Sequence, residues 1–151
     1  HTSNAWVTTR SAYLLVTQQW EPRHTRRAGR SNVDTCLGQL AIEEFFMPVV
    51  VVATMKAKPE SVDAVRAACT QAIEAVHNEP GCELYSLHEA DGTFVFVEQW
   101  ADADAIKTHS TAPAIGKLFG AIGEHLDGAP DIKMLAPVVA GDPAKGRLRG
   151  Q

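Results

Sequence analysis

The stretch from Thr93 to Ser110, TFVFVEQWADADAIKTHS, decides the fold of this chain and holds its most site-like residues. Its apolar run, residues 94–97, is rich in aromatic and β-branched side chains and predicts a strand that packs on both faces. Asp102 then offers a helix N-cap, because its carboxylate can accept the free backbone N–H groups of a first turn. We therefore expect a strand that ends at Trp100 and a short helix that carries His109, with both side chains lining one pocket.

The composition is typical of one globular domain: 151 residues, 45% hydrophobic and 21% charged, with a formal net charge of −4. This mild acidity gives no electrostatic reason to expect nucleic acid or an anionic membrane as a partner. No apolar run approaches the ~20 residues that span a bilayer. Three cysteines at unrelated spacings, Cys36, Cys69 and Cys82, argue against a disulfide framework. We therefore expect a cytoplasmic protein.

The chain divides into three parts by composition. Residues 1–46 hold five arginines and two of the three tryptophans, without a sustained helical or alternating pattern. We interpret them as an N-terminal appendage, non-native or poorly ordered, ahead of a domain at residues 47–140. The alternative is a genuine extension that packs on the domain, with Trp6 and Trp20 as anchors. Residues 141–151 are rich in glycine, proline and basic residues and are expected to form a flexible tail.

The domain shows a regular succession of strand and helix patterns. The clearest helix has apolar residues at i, i+3 and i+4 spacing through four turns. Asp91-Gly92 is the two-residue signal of a tight β-hairpin, because both positions tolerate positive φ. The predicted elements are strand 49–55, helix 61–78, strands 82–89 and 94–100, a helical region 102–127 interrupted at Pro113, and strand 132–139. Pro137 indicates that this last strand ends there or lies at a sheet edge.

This order predicts an α+β fold, the ferredoxin-like β-α-β-β-α-β arrangement with an antiparallel sheet. Helices would cover one face of such a sheet, yet the strands carry apolar residues on both faces. An uncovered apolar sheet of that size is an aggregation liability. We therefore expect a homodimer that forms through sheet-to-sheet packing.

Several common chemical motifs are absent from the sequence. There is no glycine-rich phosphate loop, no paired-cysteine motif, no helical histidine pair for a metal and no nucleophile elbow. Any chemistry would have to use a shaped apolar pocket and a few polar side chains.

Short motifs between Pro48 and Val139 nevertheless follow one another in a specific order. They are Glu79-Pro80-Gly81-Cys82 with Tyr85, then Glu98-x-Trp100, His109 and the segment 113–119. Through these motifs the chain resembles the antibiotic biosynthesis monooxygenase (ABM) domain family of dimeric α+β barrels, in particular its mycobacterial-type and quinol monooxygenases.

The resemblance implies a cofactor-independent monooxygenase that uses O₂ to oxidise a small quinol, phenolic or polyketide-like aromatic. In such chemistry a polar group removes a proton from the substrate, and the resulting anion passes an electron to O₂. The radicals recombine to a peroxide that collapses to a quinone. The protein must desolvate a flat substrate, favour its anion and leave room for O₂. No cofactor and no metal are implied.

The resemblance also implies roles for single residues. Trp100 and His109 match the family's tryptophan and histidine. The expected catalytic residues are His109, Trp100 and Tyr85, with His109 as the base because imidazoles accept protons near neutral pH. Tyr85 would orient a substrate hydroxyl. The expected substrate-binding residues are Trp100, Phe96, Glu98, Ile115 and Phe119.

Each of these residues also has a purely structural interpretation. Trp100 would then be a core anchor, Tyr85 a packing residue and His109 a helix-end cap or dimer contact. Glu98 shares a strand face with Trp100 by alternation, so it must be paired, protonated or at the rim, since an isolated buried charge is costly.

Two other functions remain open. One is a non-enzymatic dimer that binds a ligand or scavenges reactive oxygen, since a fold does not fix a function. The other is a haem-binding or haem-degrading protein. Relatives that degrade haem use an asparagine on the first strand, and residues 51–55 read VVATM without one. This departure argues against haem degradation, while His109 could still contact a bound haem.

Overall fold

The computed structural model describes residues 14–19 and 47–148. Residues 47–148 form four strands and three α-helices in the predicted β-α-β-β-α-β order, with the second helical region divided at Pro113. The α+β fold class is therefore confirmed. The elements are β1 (Val49–Lys56), α1 (Val62–His77), β2 (Cys82–Ala90), β3 (Thr93–Trp100), α2 (Ala103–Thr111), α3 (Pro113–Ile122) and β4 (Asp131–Leu135).

The four strands form one antiparallel sheet in the order β2-β3-β1-β4, which is the ferredoxin-like arrangement. The two central strands pair along their full length, with Val49 opposite Trp100 and Val51 opposite Glu98. At the β2–β3 hairpin, φ is 49° at Asp91 and 74° at Gly92. Both values are positive, as the two-residue turn requires.

Alternation along the strands gives the sheet two different faces. The helix face carries fully buried side chains that join the helices in one core, including Val51, Phe94 and Phe96. We call the other side the open face; its apolar residues are partly exposed, and no described helix covers it. The central apolar residues of the open face are Val50, Val52, Leu84, Val95 and Val97.

The last strand is shorter than predicted. The sequence predicted a strand at 132–139, and β4 ends at Leu135. Leu135 pairs with Val50, one residue from the start of β1, so the partner strand offers almost no further backbone for pairing. Pro137 also has no N–H to donate to a ladder.

The described segments outside the domain core make specific contacts. Residues 14–19 are helical, and Gln18 Nε2 donates to Ser110 Oγ at 3.0 Å, near the end of α2. Trp6, Trp20 and the remainder of the predicted appendage lie outside the described residues. In the predicted tail, the Ala144 N–H donates to Asp142 Oδ1 at 2.8 Å. Within the described segments, every helix is too short or too polar to cross a membrane.

The turn between α1 and β2 is pinned against the start of α2. Gly81 has a φ of 79°, a left-handed conformation that favours glycine. Its carbonyl accepts the Ala101 N–H at 2.8 Å. A Cβ atom at Gly81 would lie 2.5 Å from Ala105 Cβ, so α2 can approach this closely only because the side chain is absent. Gly81 therefore fixes the distance between this turn and α2.

We expect Gly81→Ala to destabilise the domain more than Gly128→Ala. Both glycines have positive φ, and forcing an alanine there costs about 1–2 kcal/mol. Only Gly81 adds the collision with Ala105, which should cost at least about 1 kcal/mol more, as overpacking generally does. Urea unfolding of both variants measures the difference. Equal losses in the two variants would contradict the close approach of the turn to α2.

Candidate functional site

Helix α2 positions His109 above the end of β3. Its N-terminus is capped as predicted, with Asp102 Oδ1 accepting the Ala105 N–H at 2.8 Å. The helix buries three side chains, Ile106, His109 and Ser110, at the i, i+3 and i+4 positions of one face. This face turns the imidazole toward Trp100.

The predicted catalytic residues lie together. The ring centroids of Trp100 and His109 are 4.3 Å apart, with an interplanar angle of 33°. Tyr85 meets His109 edge-on at 5.6 Å and stacks on Phe96 at 4.4 Å. All four rings are at most 4% exposed. The structure thus brings these residues into one buried group, and their chemical roles stay a prediction.

Glu98 lies in the same group as a buried carboxyl. The Trp100 Nε1–H donates to Glu98 Oε2 at 2.9 Å, and the same oxygen is 3.9 Å from His109 Nε2. Burial raises the pKa of Glu98 from its ordinary 4.5 to about 8; the Trp100 hydrogen bond opposes the rise, and the nearby Glu79 carboxylate adds to it. Glu98 is therefore mostly protonated at neutral pH, one of the three states that the sequence left open.

Glu79 is the site residue that the sequence analysis missed. Its Oε2 lies 2.6 Å from His109 Nδ1, within the short range of charge-assisted hydrogen bonds. A carboxylate beside Nδ1 favours the tautomer of the neutral imidazole in which Nδ1 carries the proton. The nitrogen without a proton is then Nε2, which faces Glu98. The Glu79-Pro80-Gly81 motif was the available signal, but nothing in the sequence connects two residues that lie 30 positions apart.

We refer to Glu79, Tyr85, Glu98, Trp100 and His109 as the Trp–His cluster. Within it, burial raises the pKa of Tyr85 well above its ordinary 10, and the Glu98 carboxyl adds to the shift. Tyr85 thus stays a neutral phenol, which suits a hydrogen-bond donor and excludes it as a base at neutral pH.

The other predicted substrate-binding residues, Ile115 and Phe119, are buried on α3 within the hydrophobic core. Two cavities lie elsewhere. One, of about 790 Å³, adjoins the open face and is lined by residues such as Val50, Gln99 and Leu148. The other, of about 390 Å³, is an alanine-rich groove between α1 and α3. Neither cavity is lined by Trp100 or His109, so the substrate-binding assignment stays a prediction.

The described domain is a ferredoxin-like α+β unit with an aromatic, histidine-containing cluster beneath a short helix. Residues 48–120 match the sequence model of the antibiotic biosynthesis monooxygenase family. The resemblance to the ABM family that the sequence motifs indicated is therefore confirmed for residues 48–120.

Two relatives align with part of the chain. "Putative monooxygenase Rv0793" of Mycobacterium tuberculosis is 29% identical over 93 residues, which cover 60% of this chain and 92% of that protein. Protein sll1783 of Synechocystis sp. is 35% identical over 69 residues, 44% of this chain. The latter match spans only 47% of the length of the Synechocystis protein.

Solved structures resemble the domain to a similar degree. A Caulobacter crescentus structure described as a "putative antibiotic biosynthesis monooxygenase" superposes with a TM-score of 0.59 at 29% identity, over 66% of this chain and 98% of that one. The structure of Rv0793 gives a TM-score of 0.59 at 28% identity, over 63% and 99%. Both neighbours are therefore similar over nearly their whole length to one part of this chain.

The raised pKa of Glu98 predicts how stability depends on pH. The pKa of Glu98 is higher in the folded state (about 8) than its ordinary value of 4.5, so the folded protein binds this proton more tightly. The contribution of Glu98 to the free energy of unfolding is therefore complete below pH 4.5 and is lost as the pH rises through 8. The slope between these values is at most about 1.4 kcal/mol per pH unit. Glu98→Gln keeps an acceptor for Trp100 and removes the titration.

Urea unfolding from pH 5 to pH 9 measures this effect. We expect wild-type stability to fall relative to Glu98→Gln as the pH rises, whereas Glu74→Gln, an exposed change on α1, should follow the wild type. A constant difference between wild type and Glu98→Gln would mean that Glu98 does not titrate in this range.

Proposed function

We propose that this chain is a cofactor-independent monooxygenase that oxidises a small quinol, phenolic or polyketide-like aromatic with O₂. The observation that carries the proposal is the contact between the Trp100 indole and the His109 imidazole, within a buried cluster of an ABM domain. The names of the relatives support an oxidoreductase, and the choice of substrate rests on the chemistry that the cluster offers.

The cluster has the parts that such a reaction needs. His109 accepts a proton from the substrate, and the Glu79 carboxylate stabilises the imidazolium that forms. Trp100 supplies a flat wall for an aromatic ring, and Tyr85 supplies a neutral O–H donor. The reaction balances without a further reductant. In an anthrone, a CH₂ group and O₂ give a C=O group and water; in a phenol, the O–H and the para C–H with O₂ give a quinone and water.

An oxygen-uptake assay tests this function. Metal-stripped protein is mixed with a menadiol-like hydroquinone or an anthrone under ¹⁸O₂, with an anaerobic sample as control. We expect O₂ consumption and, with the anthrone, one labelled oxygen in the organic product, because its CH₂ group becomes a C=O group. Binding of these compounds without O₂ consumption would instead support the ligand-binding alternative. A strong haem absorbance band on titration, without turnover of the aromatics, would support the haem alternative.

His109→Ala should lower turnover of the active aromatic by about 10²-fold or more, because a positioned general base contributes about 10²–10⁴. The rate of O₂ uptake under saturating substrate measures the loss. His125→Asn, which changes a histidine that bonds Ser61 outside the cluster, is the control and should keep wild-type turnover. An unchanged rate in His109→Ala would remove His109 from the mechanism.

We also propose that two copies of the chain associate through their open faces. The partly exposed valines at the centre of this face, such as Val52 opposite Val97, would be covered by the same residues of a second copy. Removing such an apolar patch from water is favourable by about 25 cal/mol per Å².

Val97→Lys should convert the dimer to a monomer, because each copy would bring a charge into an apolar contact. Sedimentation at micromolar concentration measures the mass. Ala121→Lys, an exposed change on α3, is the matched control and should leave the dimer intact. A wild-type protein that sediments as a single copy would contradict this proposal.

We place the protein in the cytoplasm. Cys69 and Cys82 are both free thiols in the described domain, which a reducing compartment would maintain.

A further inference from the structure

The His109 imidazole lies between two carboxyl groups in the Trp–His cluster. Its Nδ1 is 2.6 Å from Glu79 Oε2, and its Nε2 is 3.9 Å from Glu98 Oε2. Stability does not require two glutamates to face a histidine here, since a well-packed apolar side chain is often at least as stable as a buried ion pair. The three groups therefore place one carboxyl group near each ring nitrogen of His109.

The two carboxyl groups occupy different environments. The Glu98 side chain is 2% exposed, and its Oε2 already accepts the Trp100 N–H. The Glu79 side chain is 13% exposed and sits in the turn that Gly81 pins to α2. Such a difference separates two carboxyls into one neutral acid and one charged partner, a pattern typical of acid–base catalysis.

We propose that Glu98 is the general acid that complements His109 as the base, and that Glu79 is the residue that positions His109. This inference rests on the proposed function and deepens it, because it assigns the proton-transfer steps of that same site.

The steps balance in protons and electrons. His109 takes a C–H proton from the substrate, and the carbanion reduces O₂ by one electron before the radicals join to a peroxide anion. Glu98 protonates that peroxide, and the proton on His109 then moves to the ionised Glu98. When His109 removes the second C–H proton, the O–O bond breaks, the C=O bond forms, and the departing hydroxide takes the proton as water.

The groups that face Glu98 decide how its titration is assigned. They are His109 from α2, Glu79 from the turn, and Tyr85 and Cys82 from β2. Burial raises the pKa of Cys82 to about 11 and that of Tyr85 above its ordinary 10, so both stay neutral below pH 9. Cys69 on α1, which acts on Tyr85, has a pKa raised by burial to about 12.

Two readouts test the assignment, one with substrate and one without. The first is the pH profile of kcat for the anthrone, whose CH₂ group supplies both C–H protons. The second is Trp100 fluorescence against pH in a Trp6→Phe, Trp20→Phe background, where Trp100 is the single remaining tryptophan. The indole reports on Glu98 directly through their hydrogen bond.

Because the acid must carry a proton, we expect kcat to fall as pH rises through about 8, with a fluorescence change at the same pH. Glu98→Gln should lose both features and lower kcat by about 10²-fold. Glu79→Gln should lower kcat at unchanged KM and move the fluorescence midpoint to lower pH, because the Glu79 charge raises the Glu98 pKa. Glu79→Asp should restore part of kcat and part of the fluorescence midpoint. Glu74→Gln should leave both kcat and the midpoint at their wild-type values.

The outcomes separate this inference from the proposed function. If the wild type is active and Glu98→Gln keeps its kcat and pH profile, the inference is overturned and the proposed function stands. If neither the wild type nor any variant oxidises the probe, the proposed function is overturned. The fluorescence titration then decides whether Glu79, His109 and Glu98 form the acid–base set. A titration that depends on both glutamates supports the acid–base set, and a flat titration overturns it. Should Glu98→Gln fail to fold, Glu79→Gln takes its place in the test. A fluorescence midpoint at lower pH than in the wild type supports the acid–base set, and an unchanged midpoint overturns it.

Discussion

The close approach of the turn at Gly81 to helix α2 is the constraint on which the buried cluster depends. One glycine carbonyl accepts the backbone N–H that follows β3, and the missing side chain lets Ala105 lie directly against the turn. Glu79 lies two residues before that glycine. The close packing of the turn against α2 therefore also places the Glu79 carboxylate next to His109. If this spacing grew by even one side chain, the imidazole would lose the partner that orients it.

The polar character of the cluster is costly in a domain that otherwise buries aliphatic and aromatic side chains. Removing one member of a buried charged pair typically costs 3–5 kcal/mol, while replacing the whole pair with apolar residues is often neutral or stabilising. Stability alone therefore does not account for two glutamates and a histidine around Trp100. A carboxyl group whose pKa is raised as strongly as that of Glu98 occurs preferentially at functional sites.

The sequence contained nearly all of the fold and only part of the site. The local signals predicted the order of elements, the Asp91-Gly92 hairpin and the Asp102 cap, because each depends on neighbouring residues. Pro137 indicated that the last strand ends early or lies at an edge, and β4 is an edge strand. Its exact end at Leu135 was not predicted, because it depends on where the partner strand begins. Glu79 was missed for a related reason, since its contact with His109 is set by a tertiary approach that no local pattern records.

The closed state of the cluster raises the question of how an aromatic substrate reaches Trp100, and the unequal anchoring of the two helices offers an answer. Helix α3 buries four large apolar side chains, whereas α2 buries only one, Ile106, besides His109 and Ser110. The apolar part of this anchoring is worth about 1.5–3 kcal/mol, the cost of exposing one isoleucine. The remaining anchors of α2 lie in the cluster and its surroundings: His109 contacts Glu79, and Ala105 packs against Gly81. Ala112, which ends α2, also caps the start of α3. The element that carries the proposed base is thus the helix with the smaller apolar anchor, and an opening at α2 would separate His109 from Glu79.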